Sequence, residues 1–130
     1  STIDVFPDAE PTLKKLRKSG YTLAILSNSW PSLRPLLNNL GIDRYFDTIV
    51  ISAELGVKKP QPGAYAAVCN ELAVSGSELL FIDNDLDNVV GAVECSMVGC
   101  LLDRKGLYGG EATRHSIDVI GSLAELILYV

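Results

Sequence analysis

Short apolar runs alternate along this chain with segments whose apolar residues recur at helical spacing. Tyr21 to Leu26, Thr48 to Ser52, Leu79 to Asp83 and Val98 to Leu102 are near-continuous apolar or β-branched runs. Runs of that length bounded by turn residues read as strands buried on both faces. Between them, Leu33, Leu36, Leu37 and Leu40 follow an i, i+3, i+4, i+7 stripe that predicts an amphipathic helix ending at Gly41. Leu13 and Leu16 mark an earlier helix from Asp8, with Pro11 in its first turn and Ser19-Gly20 at its close. Ala64, Tyr65, Val68 and Leu72 mark another, entered through Pro60 and Pro62, and Leu86 to Cys95 a further one. Gly106, Gly109 and Gly110 read as a loop, and Ile117 to Ile120 as a short apolar piece before a terminal helix from Ser122. Ile3 to Phe6 is strand-like but is cut short by Pro7. Strand and helix in alternation argue for parallel βαβ units and a doubly wound sheet. With no internal repeat and no linker-like stretch, residues 1–130 read as a single domain.

Three of the strands end in small polar or charged side chains. The first stops at Ser27-Asn28, the second leads into GVKKPQP around Lys59, and the third runs into Asp83, Asn84, Asp85, Leu86, Asp87 and Asn88. In open parallel sheets that carboxyl edge is where ligands bind. A hydroxyl and amide, an ammonium and a carboxylate cluster together make a phosphoryl-handling set. Ser27 and Asn28 can donate to a phosphoryl oxygen, and an ammonium at Lys59 can neutralise its charge. Adjacent acids at a buried strand end repel, so Asp83, Asp85 and Asp87 need a cation, donors or protonation. Hard oxygen ligands suit Mg²⁺. Helix capping competes with each assignment, because Ser, Asn and Asp are all favoured N-cap residues. Trp30 follows the first strand end and can wall a pocket or simply pack; His115 lies in a polar stretch and reads as a surface residue.

Composition narrows the partners. The formal net charge of −5 and a pI near 4.7 argue against a nucleic-acid groove. No apolar run reaches the ~20 residues of a bilayer span, so no membrane partner is expected. The three cysteines lack metal-ligand spacing and read as reduced, buried thiols, which fits a cytoplasmic protein.

Taken together, LAILSNSW, GIDRYFDTIVISAELGVKKPQPGAY, LLFIDNDLDNVVGA and VGCLLDR resemble the haloacid dehalogenase-like (HAD) hydrolase superfamily, in the branch of small phosphatases and 2-haloacid dehalogenases. The resemblance runs from about Phe6 to Leu126. It implies an α/β, Rossmann-like three-layer sandwich with a mainly parallel sheet. It also implies Mg²⁺-dependent hydrolysis of a small phosphorylated metabolite through an aspartyl-phosphate. Ser27 falls on the phosphoryl-binding Ser/Thr, Lys59 on the lysine that holds nucleophile and phosphate, and Asp83 on the first metal-positioning acid. Asn84 stands where many members carry a second acid. A DxDxT-like nucleophile motif does not stand in this sequence; Asp4, in TIDVFPD, lacks its strand and acid/base partner. The resembling fold places the nucleophile strand between the strands ending at Ser27 and Asp83. Its absence leaves two buried edges unpaired. Either residues 2–6 fill that slot, or an upstream segment or a second chain supplies it; the chain is expected to be the C-terminal part of a longer HAD core, lacking nucleophile strand and cap and inactive alone. Two other functions stay open: a degenerate HAD domain acting as an interaction module, and a metal-free 2-haloacid dehalogenase. A two-component receiver is excluded, since its acceptor Asp precedes the hydroxyl and its Lys comes last.

Overall fold

A computed structural model of the chain describes residues 9–128, with side chains to residue 125. Asp4 and the strand-like Ile3 to Phe6 lie outside the described residues. Helix α1 spans Ala9–Lys18, with Glu10 in its first turn and Lys15, Arg17 and Lys18 in its last, both favourable to the helix dipole. Strand β1 covers Ala24–Ser27 and starts later than the apolar run predicts. The Tyr21 N–H is taken by the Leu16 carbonyl at the helix end, and the Leu23 N–H by the Asp47 carboxylate. Those residues therefore make helix-closing and loop contacts before the ladder begins.

Helix α2, Leu33–Asn39, buries Leu33 and Leu37 and leaves Leu36, and Leu40 just past its end, partly exposed, so its apolar contact is narrower than the four-leucine stripe. Strand β2, Thr48–Ile51, pairs parallel with β1 from Ala24↔Thr48 to Ser27↔Ile51. The one-turn α3, Ser52–Leu55, closes at Gly56, whose φ of 85° is the left-handed geometry glycine tolerates. Helix α4, Pro62–Leu72, carries proline in its first turn. Strand β3, Leu80–Asp83, feeds α5, Leu86–Glu94; β4, Val98–Leu102, follows. Gly109 and Gly110, expected in a loop, open the short α6, Gly109–Arg114. The apolar piece after it becomes β5, Asp118–Ile120, and the terminal segment Leu123–Leu128 is 3-10 rather than α-helical.

Among the described residues all strand pairs are parallel, in two groups: β1 with β2, and β3–β4–β5 in that order. Strand alternation sends Ile82, Cys100, Leu102 and Ile120 to one face, where they pack on Leu16 of α1. Phe81 and Leu101 point the other way, onto Val89 of α5 and Ala112 of α6. Tyr65 of α4 and Ala92 of α5 gather Leu26 from β1 and Phe81 from β3 into one cluster. Helices thus cover both faces, giving the three-layer α/β sandwich. Among the described residues, the facing edges of β1 and β3 have no ladder partner, and helices bridge the interval between them. No helix among the described residues is long and apolar enough to cross a membrane. The three cysteines are free, and Cys100 is buried.

Candidate active site

The carboxyl ends of β1 and β3 are tied together by one lysine. Lys59 lies in the loop before α4, and its side chain is only 9 % exposed. Asn28, one residue past β1, clamps the Lys59 backbone at two points: its Oδ1 accepts from the Lys59 N–H (2.9 Å), and its Nδ2 donates to the Lys59 carbonyl (3.0 Å). The Lys59 Nζ then donates to Asp83 Oδ2 at 2.6 Å, at the end of β3. It also sits 5.5 Å from the centre of the Phe81 ring, a cation–π distance. Asp83 is equally shielded, at 9 % exposure. Its Oδ1 accepts the Asp85 N–H (2.9 Å), and its Oδ2 also receives a long contact from Asn88 Nδ2 (3.4 Å). The Lys59–Pro60 peptide is cis.

The close approach of α5 fixes this arrangement from behind. A Cβ on Gly91 would lie 2.8 Å from both the Pro60 Cβ and the Tyr65 hydroxyl oxygen, so only glycine lets the helix seat against the lysine loop. Tyr65, fully buried, donates to the Asn88 carbonyl at 2.6 Å. Burial, reinforced by the negative charge of Asp83, raises its pKa and keeps the phenol a neutral donor. Asp85 caps α5, accepting from the N–H groups of Asp87 (2.9 Å) and Asn88 (3.4 Å). The capping expected among these acids thus falls to Asp85, and Asp83 is left facing Lys59.

Ser27 ends β1, and its hydroxyl donates to Ser29 Oγ at 2.8 Å. The structure therefore brings Asn28, Lys59 and Asp83 into direct contact, with Ser27 on the same sheet edge. Both ends of the Asn28 amide face the Lys59 backbone, a positioning contact that the sequence did not reveal. Asn88 and Tyr65 were also missed as site residues. The signal for Asn88 was its place in the first turn of α5, the helix that follows directly on the strand end at Asp83. Trp30 stands beside the edge and is 74 % exposed; His115 is exposed after α6. Among the described residues no group of three or more His, Cys, Asp or Glu could hold a metal ion. Asp83 offers one hard carboxylate at the edge.

A family model for haloacid dehalogenase-like hydrolases matches residues 1–95. The chain belongs to this family. It is 36 % identical over 103 residues to Phosphatase MT3486 of Mycobacterium tuberculosis, covering 78 % of this chain and 48 % of that protein. It is 29 % identical over 129 residues to (S)-2-haloacid dehalogenase 4A of Burkholderia cepacia, covering 96 % and 56 %. Its fold matches a HAD phosphatase from Thermococcus onnurineus with a TM-score of 0.87 at 28 % identity, over 97 % of this chain and 58 % of that one. The HAD chain thus spans about half the length of the curated relatives it matches.

Proposed function

We propose that this chain forms the phosphoryl-binding half of a HAD phosphatase acting on small phosphoric monoesters, with the nucleophilic aspartate supplied from outside Ser1–Val130. In this reading an aspartate oxygen attacks phosphorus and the P–O ester bond breaks. The alcohol departs with a proton, and water then releases phosphate from the aspartyl-phosphate. When phosphate is bound, Ser27 turns its hydroxyl proton from Ser29 Oγ to a phosphoryl oxygen. The Lys59 ammonium balances charge on the nucleophile and phosphoryl group, while Asn28 holds the Lys59 backbone and Asn88 steadies Asp83. The observation that carries the proposal is the buried Lys59–Asp83 contact of 2.6 Å, clamped by Asn28 at the shared carboxyl edge.

Lys59 and Asp83 cancel each other's charge, and Asp85 and Asp87 add negative charge nearby, so a phosphate dianion needs a further cation. The donor set suits Mg²⁺, which takes one or two carboxylates and keeps several waters. Asp83 would hold it beside the exposed Asn84, and when bound it would offset negative charge on the phosphoryl oxygens. Free cysteines fit a reducing cytoplasm.

Calorimetric titration with inorganic phosphate and Mg²⁺ tests the proposal. Binding is expected for the chain and lost in Lys59→Ala and Ser27→Ala. Absence of phosphate binding at millimolar concentration would overturn it in favour of a pure interaction module. A second reading, 2-haloacid dehalogenase, is favoured by the amides of Asn84 and Asn88 around Asp83 where further acids would serve a metal. Tight binding of 2-chloropropionate without Mg²⁺, and none of phosphate, would establish that reading instead.

A further inference from the structure

A cleft of about 540 Å³ opens beside the site, lined among others by Ser29, Trp30, Ser52, Lys58 and Gln61, with Asn28 as the wall it shares with Lys59. That volume lies within the range of small-molecule sites. The phosphoryl residues lead directly into it. Ser27 donates to Ser29, which keeps its own hydroxyl proton to give, and Lys58 precedes Lys59 in the loop. The lining contains no acid and one cation, Lys58. None of the ion pairs among the described residues involves Lys58, whereas the neighbouring Arg34 is committed to Glu54 at 2.7 Å. Trp30, the sole tryptophan of the chain, stands at this cleft with 74 % of its surface exposed. An indole held open beside a cation and hydroxyl donors offers a flat surface for stacking, with a charge to anchor the far end of a ring.

Resting on the phosphatase reading, we infer that the cleft receives the leaving group of the substrate, and that this group is planar and unsaturated with an anionic substituent. With phosphorus at Ser27 and Lys59, the ring lies against Trp30. The distal anion meets Lys58, and Ser29 donates to ring substituents or to the ester oxygen.

The sole tryptophan makes the test direct. The full chain, with Mg²⁺, is titrated with inorganic phosphate, glycerol phosphate and 4-carboxyphenyl phosphate, following heat and the iodide quenching of Trp30 fluorescence. The aryl phosphate is expected to bind roughly three- to tenfold more tightly than inorganic phosphate, the range of an aromatic contact, and to shield Trp30 from iodide. Glycerol phosphate should do neither. In Trp30→Leu and Lys58→Gln the aryl-to-inorganic affinity ratio should collapse towards one. Phosphate binding with equal affinity for all three ligands and unshielded Trp30 would overturn this inference while leaving the phosphoryl site intact. Failure of all three ligands to bind would overturn the phosphatase reading and this inference with it.

Discussion

Replacing Lys59 with methionine keeps most of the stem volume and removes the ammonium, which leaves the buried Asp83 carboxylate without its cationic partner. Of its donors, only the Asp85 N–H at 2.9 Å remains good, since Asn88 Nδ2 stands at 3.4 Å. Breaking a buried ion pair by removing one partner costs about 3–5 kcal/mol. Each side chain here keeps 9 % exposure and Asp83 keeps one sound hydrogen bond, so the lower end applies, about 3 kcal/mol. Asp83→Asn leaves a lysine whose flexible stem can turn its charge to water, so its cost is smaller, about 1–2 kcal/mol. The double variant removes both charges and should cost well below the sum, with a coupling of at least about 1.5 kcal/mol. Urea unfolding at pH 7 reads this: with a slope of about 1–3 kcal/mol per molar, Lys59→Met moves the midpoint down by about 1–3 M. Costs below about 0.5 kcal/mol, the scale of an exposed pair, or strict additivity in the double variant, would refute the claim that this pair is buried and coupled.

Gly91→Ala drives a methyl against Pro60 and the Tyr65 hydroxyl and should cost about 1–3 kcal/mol, with a loss of phosphate affinity that a surface Gly110→Ala, whose added Cβ meets nothing, does not share. The Cys100 thiol is pushed up to about 11 by burial, then by Asp118 and Glu125. It should resist iodoacetamide at pH 8 until unfolding. Because the unfolded thiol ionises first, stability should fall between roughly pH 9 and 11, a limb that Cys100→Ala lacks. Backbone N–H groups of Tyr108 and Leu107 hold the Asp103 carboxyl below the usual range. Its contribution is complete above about pH 4 and is lost as pH falls through the lowered pKa, so Asp103→Ala should flatten the acid limb of a melting-temperature profile.

The carboxyl-edge convergence was legible because each strand end carried its polar residue within a few positions of an unbroken apolar run. Lys59 and Asp83 meet across the carboxyl ends of two strands, with Ser27 on the same sheet edge. Details set by tertiary partners were not legible. Asp47, distant in sequence, captures the Leu23 N–H and delays β1. The exposure of Leu36 and Leu40 depends on how far α2 turns towards the core, which periodicity leaves open. Asn28 reads as a donor or a cap until the lysine loop folds over it. Asn88 reads as a first-turn polar residue until α5 is seated by Gly91 and brings its amide to Asp83.

Amide chemical-shift mapping shows whether Ser27, Lys59 and Asp83 face one anion site. With Mg²⁺ present, titration with inorganic phosphate should shift amides of Ser27 to Ser29, Lys58 to Lys59 and Asp83 to Asp85 along one saturating curve. Lys59→Ala should abolish all of them together. Shifts scattered elsewhere, or confined to one of the three segments, would contradict a shared site.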